Sequence, residues 1–166
     1  MPELSQKERL QLSLLDRLTD DEPDKKSESR SKRVITVSRL KELVQRDLAW
    51  LLNAVASQTT NNFDDYPYIK NSTLNYGIPD LSGSNVKSLN TRSLEREVVS
   101  AIKRFESRII PKTLQVDVKV ASEQMSGNTL SVTIHADLWA QPLPLQLYLQ
   151  TDIDIENGIV TVNQWH

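Results

Sequence analysis

The chain has 166 residues, with 22 acidic and 20 basic side chains and a formal net charge of −2, a length that suits one domain plus a tail. It has no cysteine and two histidines, which excludes disulfides, thiol catalysis and multi-histidine metal sites. The near-neutral charge argues against a dedicated nucleic-acid-binding protein. No stretch approaches the roughly 18 apolar residues of a membrane span, and the polar N-terminus lacks a signal core. We therefore expect a cytoplasmic protein without direct membrane insertion.

The first 33 residues combine an apolar island with a polar linker. Leu14, Leu15 and Leu18 would share one side of a short helix. Residues 20–33 contain no apolar residue besides one proline, so we predict a disordered linker and a domain at 34–166. The short helix either folds back on this domain or docks into a partner's groove through its leucines; the long linker favours the second.

Two longer helices are predicted in the middle of the chain. Residues 38–57 carry leucine and valine at helical spacing, with Ser38 as the N-cap and Trp50 expected to widen the apolar stripe. Residues 92–107 form the second helix. The polar residues 58–90 between them are expected to form a long irregular connection.

The C-terminal third changes to an apolar period of two. Alternation runs through residues 114–120, 130–138 and 145–155, and Asn157-Gly158 is a strong hairpin signal before a last strand. These features predict an antiparallel meander with one apolar face. Because the two helices can cover that face, we expect a two-layer α+β fold.

The predicted sheet has few strands and must have edges. An unpaired edge can template strand addition by another chain. Loops or charged residues can equally protect it, and the residues alone leave both possibilities open.

No catalytic constellation is evident. The chain lacks a nucleophile elbow, a Walker loop and a zinc-protease motif. Asp152 and Asp154 share one strand face at about 6.5–7 Å, a spacing that glycosidases use, but nothing predicts a cleft there. His135 and His166 lack a carboxylate-and-nucleophile setting. We expect no catalytic residue, cofactor or metal site.

Glu106 and Arg108 flank the end of the second long helix. Their apolar neighbours Phe105 and Ile109 would hold this junction in the core, so the positions of the two charged side chains would be fixed. Such a pair can make charge-assisted bonds across an interface. The residues alone favour a solvated helix end over an interface.

Four motifs in order resemble a known family. They are Leu14-Leu15-Asp16-Arg17-Leu18-Thr19-Asp20-Asp21, Arg46-Asp47-Leu48-Ala49-Trp50-Leu51-Leu52-Asn53, Asn75-Tyr76-Gly77-Ile78-Pro79-Asp80-Leu81 and Phe105-Glu106-Ser107-Arg108-Ile109. Together they are similar to the TssE baseplate subunits of type VI secretion systems. Those subunits belong to the family of the lysozyme-like baseplate wedge protein of contractile phage tails.

The resemblance implies assembly rather than catalysis. Proteins similar to this one form baseplate wedges with TssF and TssG, attached to TssK, in a baseplate docked at the inner membrane. They receive the first sheath ring of TssB and TssC, and their sheet is similar to the handshake domain of the sheath. The resemblance thus favours strand addition. A lysozyme-like peptidoglycan hydrolase is the enzyme alternative.

The resemblance also implies interface residues. The family carries a Glu-Pro-Arg signature at the helix exit, which matches Glu106, Ser107 and Arg108. Serine stands where the family has proline, so this exit is less constrained. The leucines at 14, 15 and 18 would anchor the chain to the rest of the wedge.

Overall fold

A computed structural model describes residues 13–19, 24, 36–83, 89–120, 129–139, 144–156 and 158–164. The predicted linker, apart from Asp24, lies outside these residues, as do Asn157 and His166. Within these ranges, four α-helices and four β-strands follow in chain order: α1 (Leu14–Leu18), α2 (Val37–Asn53), α3 (Pro67–Lys70), α4 (Thr91–Phe105), β1 (Gln115–Val120), β2 (Thr129–Leu138), β3 (Leu145–Asp154) and β4 (Ile159–Gln164).

The strands form one antiparallel sheet in the order β1-β2-β3-β4, which confirms the predicted meander. Alternate residues of β2 and β3 are buried, and this apolar face packs with α2 and α4 into a single core. The α+β prediction is confirmed. The alternation determines the register, because a slip of one residue would turn each buried side chain to the opposite face.

Helix α2 starts before the predicted N-cap and ends before the predicted C-terminus. The prediction of Ser38 as N-cap is wrong, because Thr36 Oγ1 accepts the hydrogen bond from the Arg39 N–H (3.2 Å). The helix ends at Asn53, because the next residues turn into extended backbone that pairs with residue 78. Helix α4 likewise ends at Phe105, two residues before the predicted end.

Trp50 does not join the core, contrary to the prediction, since 52% of it is exposed. At about 3.6 residues per turn, position 50 lies on the margin of the stripe centred on Val44 and Leu51. The guanidinium of Arg46 covers part of the indole, with its carbon 4.7 Å from the ring centroid.

The connection between α2 and α4 is ordered over residues 54–83. Asn75 is buried and links two separate parts of this connection: it accepts from the Gln58 N–H (2.9 Å) and donates to the Lys70 carbonyl (3.0 Å). Gly77 has φ +126°, and a Cβ there would lie 2.3 Å from the Ala54 carbonyl oxygen. Only glycine permits this approach, which lets residue 78 bridge to the segment after α2.

Candidate functional site

A cleft of about 450 Å³ lies where α1, the middle of α2, the turn after residue 75 and the exit of α4 meet. Each of the four motifs that carry the resemblance contributes to its wall. The lining residues are Ser13, Leu15, Asp47, Leu48, Trp50, Leu51, Tyr76, Phe105, Glu106, Ser107 and Arg108. The fold thus gathers four separated segments at one place.

Glu106 lies in the base of this cleft rather than in solvent. It is 5% exposed, so the interpretation of a solvated helix end is wrong for this residue. Its Oε1 accepts hydrogen bonds from the Arg108 backbone N–H (3.0 Å) and from Arg108 Nε (2.7 Å). A buried carboxylate needs such partners, because water no longer solvates its charge.

The backbone at the exit of α4 is non-helical although residue 107 is serine. Glu106 has φ −112° and ψ 88°, well outside the α region. Hydrogen bonds from Arg108 to the Glu106 carboxylate close a short loop over Ser107. These contacts lie at the point where the backbone leaves helical geometry.

Arg108 joins the α4 exit to α2. Its Nη2 contacts Glu106 and also Asp47 Oδ2. Burial by itself lowers the pKa of the Arg108 guanidinium, but Glu106 first and Asp47 second raise it above its ordinary value. Arg108 is therefore a permanent cation between two carboxylates, which is the setting in which a guanidinium fork binds best.

Tyr76 closes the apolar side of the cleft. Its ring packs edge-on against Phe105 at a centroid distance of 5.1 Å, and its hydroxyl lies 3.5 Å from the Asp47 carbonyl oxygen. Burial raises the pKa of Tyr76, and the charges of Asp47 and Glu106 raise it further. The phenol therefore stays neutral beside these carboxylates.

Asp16 attaches α1 to this network. One of its carboxylate oxygens lies 2.7 Å from Arg46 Nη2, and the side chain is 4% exposed. Arg46 also pairs with Asp47 (2.7 Å), so an alternating series of charges runs from α1 through α2 to Arg108. Partial burial raises the pKa of Asp16, but Ser13 and Arg46 lower it by more, and the net pKa is below its ordinary value.

The leucines of α1 are largely exposed although the helix is attached. Leu14 is 71% exposed, Leu15 48% and Leu18 74%. Leu15 lines the same cleft as Glu106 and Arg108, whereas the other two leucines are not among the lining residues. The structure therefore brings one predicted anchor to the predicted charge pair. It leaves the other two facing outwards.

Asp16, Arg46 and Asp47 were missed as site residues in the sequence. Asp47 carried a usable signal, since it lies three residues after Val44 and four before Leu51, both of which are buried. A carboxylate on the margin of an apolar stripe needs a cation. The sequence could not identify Arg108 as that cation, because 61 positions separate the two residues.

The residues considered for catalysis lie away from the cleft. Asp152 and Asp154 are on the face of β3 opposite the helices, as the buried alternation shows. His135 stacks on Tyr148 across β2 and β3, with ring centroids 4.3 Å apart. Within the described ranges, no group of three or more His, Cys, Asp or Glu residues could hold a metal ion.

The described part of the chain has no helix that is both long and apolar enough to cross a membrane. Among families of known proteins, the model of baseplate wedge protein gp25 matches residues 38–143, which is more than half of the chain. That match includes α2, the cleft turn, the α4 exit and the start of the sheet. Neither curated proteins nor solved structures provided a match.

Proposed function

The chain belongs to the gp25 family of baseplate wedge proteins, and on this basis we propose that it is a TssE-type wedge subunit of a type VI secretion system. Family membership gives it a structural role in a tail baseplate, in contact with other baseplate components. We further propose that the protein lies in the cytoplasm, in a baseplate docked at the inner membrane, and that it binds the partners described below.

The sheath is the first proposed partner. A contractile sheath needs a template for its first ring, and a strand edge provides one through main-chain hydrogen bonds. The observation that carries this proposal is the open meander, in which β1 and β4 each have one neighbour among the described strands. We propose that the sheet, in the manner of a handshake domain, pairs with strands of TssB and TssC and so initiates sheath polymerisation.

The rest of the wedge is the second proposed partner. Leu14, Leu15 and Leu18 are held in place by the Asp16–Arg46 ion pair while much of their apolar surface stays in water. Apolar side chains on an ordered helix are typical anchors for a partner surface. We propose that they bind TssF and TssG, which connect the subunit to TssK. Glu106 and Arg108 support this surface by holding the cleft together.

A matched pair of variants tests the wedge contact. Serine at positions 14, 15 and 18 should abolish co-purification with TssF and TssG without lowering the melting temperature, since these side chains are exposed. Leu74→Ser serves as the control, because Leu74 is 68% exposed in the connection. Retained co-purification in the triple variant, or equal loss in the control, would contradict the proposal.

Sheath initiation is tested in cells. Deleting the gene should abolish fluorescent sheath foci, and the wild-type chain supplied in trans should restore them. Foci that form normally in the deletion strain would show that sheath assembly does not need this protein.

We propose a non-catalytic subunit. The alternative is a peptidoglycan hydrolase that would use Asp152 and Asp154. Purified chain should release no soluble fragments from peptidoglycan, and Asp152→Asn should behave identically. Release by the wild type that the variant loses would establish the hydrolase instead.

A further inference from the structure

Each outer strand of the sheet is contacted by a polar side chain from a helix. On β4, Asn53 at the end of α2 reaches Val160: its Nδ2 donates to the Val160 carbonyl (3.1 Å) and its Oδ1 accepts from the Val160 N–H (3.0 Å). Nδ2 also donates to the Ala49 carbonyl (2.8 Å). One side-chain amide thus makes the two bonds that a residue of a fifth strand would make.

On β1 the contact is different in kind. Glu95 of α4 accepts one hydrogen bond from the Val118 N–H (3.1 Å). A carboxylate accepts but cannot donate, so Glu95 cannot bond to the Val118 carbonyl, and its charge repels the carbonyls of an approaching strand. Asp117 and Lys119 form an ion pair on the same strand (2.6 Å), and charged side chains are typical of protected edges.

From this difference we infer that the outer edge of β4, not that of β1, receives an extended strand of the sheath, and that Asn53 is the cap which that strand displaces. The inference rests on the strand pairing proposed above. It names the edge and the residue that controls access to it.

The register of β4 shows how the exchange would proceed. Val160 lies opposite Ile153 of β3. Because its N–H and C=O bond to Asn53, they point away from β3, towards the outer edge of the sheet. In an antiparallel ladder this direction recurs at every second residue, so Val162 and Gln164 present their backbone groups to the same edge. A partner strand can pair at these two positions and then replace Asn53 at Val160.

The exchange leaves no buried polar group without a partner. Asn53 is an exposed residue, so its released amide returns to water. The peptide groups of the incoming strand take over both bonds of Val160. Because the cap competes with the strand for the same groups, it weakens pairing without preventing it.

Proline variants at the two edges form a matched test. Proline removes an N–H and is tolerated where that N–H faces outwards on an edge strand. Val162→Pro removes an outward N–H of β4, and Val120→Pro does the same on β1, where Val118 shares its direction. Binding of each full-length variant to purified TssB–TssC is measured by biolayer interferometry, with melting temperature as the folding control.

We expect Val162→Pro to weaken binding at least tenfold and Val120→Pro to leave it within twofold. Gln164→Pro, at the end of the strand, repeats the test if Val162→Pro does not fold. Asn53→Ala should bind about threefold to tenfold more tightly because the competing cap is gone, whereas Glu95→Gln should bind like the wild type.

The outcomes separate the inference from the function on which it rests. Failure of the wild-type chain to bind TssB–TssC would overturn the proposed function. Wild-type binding that is lost with Val120→Pro, or kept with both prolines, would overturn the edge assignment alone. Self-association of the chain that is abolished by Val162→Pro, without an effect on TssB–TssC binding, would make a second copy the occupant and overturn the sheath strand.

Discussion

The core and the cleft are stabilised in different ways. Between the helices and the sheet, apolar side chains such as Val98, Ile102 and Ile134 are fully buried, and each gains free energy by leaving water whatever its exact neighbour. In the cleft, Glu106 is buried only because Arg108 is beside it. The stabilisation by a core residue therefore depends on how closely it is packed, whereas that by a charged cleft residue depends on one specific partner.

Truncating a core side chain should have the largest effect on stability. Ile134 is completely buried in the middle strand β2, and Ile134→Ala should lower the free energy of unfolding by about 4 kcal/mol through lost transfer energy and a residual cavity. Thr133→Ala, one residue earlier on the opposite face, should change it by less than about 0.5 kcal/mol. Urea unfolding measures both; equal losses would mean that the burial pattern of β2 is wrong.

Breaking the cleft pair should have the next largest effect. Arg108→Ala leaves the carboxylate of Glu106 buried without its cation and should cost about 3 kcal/mol. Adding Glu106→Gln to that variant should recover part of the loss, because the stranded charge is gone. Arg39→Ala is the control, since the Arg39–Glu42 pair lies at the surface and should be worth less than about 1 kcal/mol.

The two arginine variants together test whether the cleft pair differs from a surface ion pair. If Arg108→Ala and Arg39→Ala cost the same, the cleft pair would be no more than a surface ion pair. Denaturant midpoints for the two single variants and the double variant decide this.

The attachment of α1 should have the smallest effect and should depend on pH. The pKa of Asp16 is lowered in the folded chain, so its contribution is fully present above the ordinary value of 3.8 and is lost as the pH falls through the lowered value. In NMR spectra, the backbone amide chemical shifts of α1 should therefore approach the values of a detached segment only below about pH 4.

Asp16→Asn should show the detached shifts already at neutral pH, with the unfolding free energy of the domain nearly unchanged. Asp64→Asn, at an exposed residue paired with Lys70 in the connection, should leave α1 in place. If the amide chemical shifts of α1 in the wild type do not respond to pH, the Asp16–Arg46 ion pair does not attach α1.

The regular elements could be predicted because their signals are local. Period-two alternation identified the first three strands and the Asn157-Gly158 hairpin signal the fourth. The leucine spacing identified α2, since burial of one face repeats along a single segment. Helix ends were harder to predict, because several residues near a helix start can serve as the N-cap. Here Thr36 rather than Ser38 accepts the capping hydrogen bond. The exposure of Trp50 depended on where the core stripe ended.

The candidate site could be predicted only in part, because its contacts join segments that are distant in the sequence. Glu106, Arg108 and the leucines of α1 were identified as candidates, but the sequence favoured a solvated helix end, because it does not show that Asp47 approaches Arg108. Asn53 ends the second motif, but nothing in the sequence predicted its contact with the sheet. Its role requires the edge of β4 to lie beside the end of α2, and 107 positions separate it from Val160.

The amino-acid sequence excluded cysteine chemistry and predicted an α+β fold. Those properties follow from composition and from periodicities that each segment carries by itself. Only the tertiary structure decided that the charges form an internal network and that one sheet edge carries an amide cap while the other carries a carboxylate. Hydrogen bonds and ion pairs act over a few ångströms, so they depend on which distant segments the fold brings together.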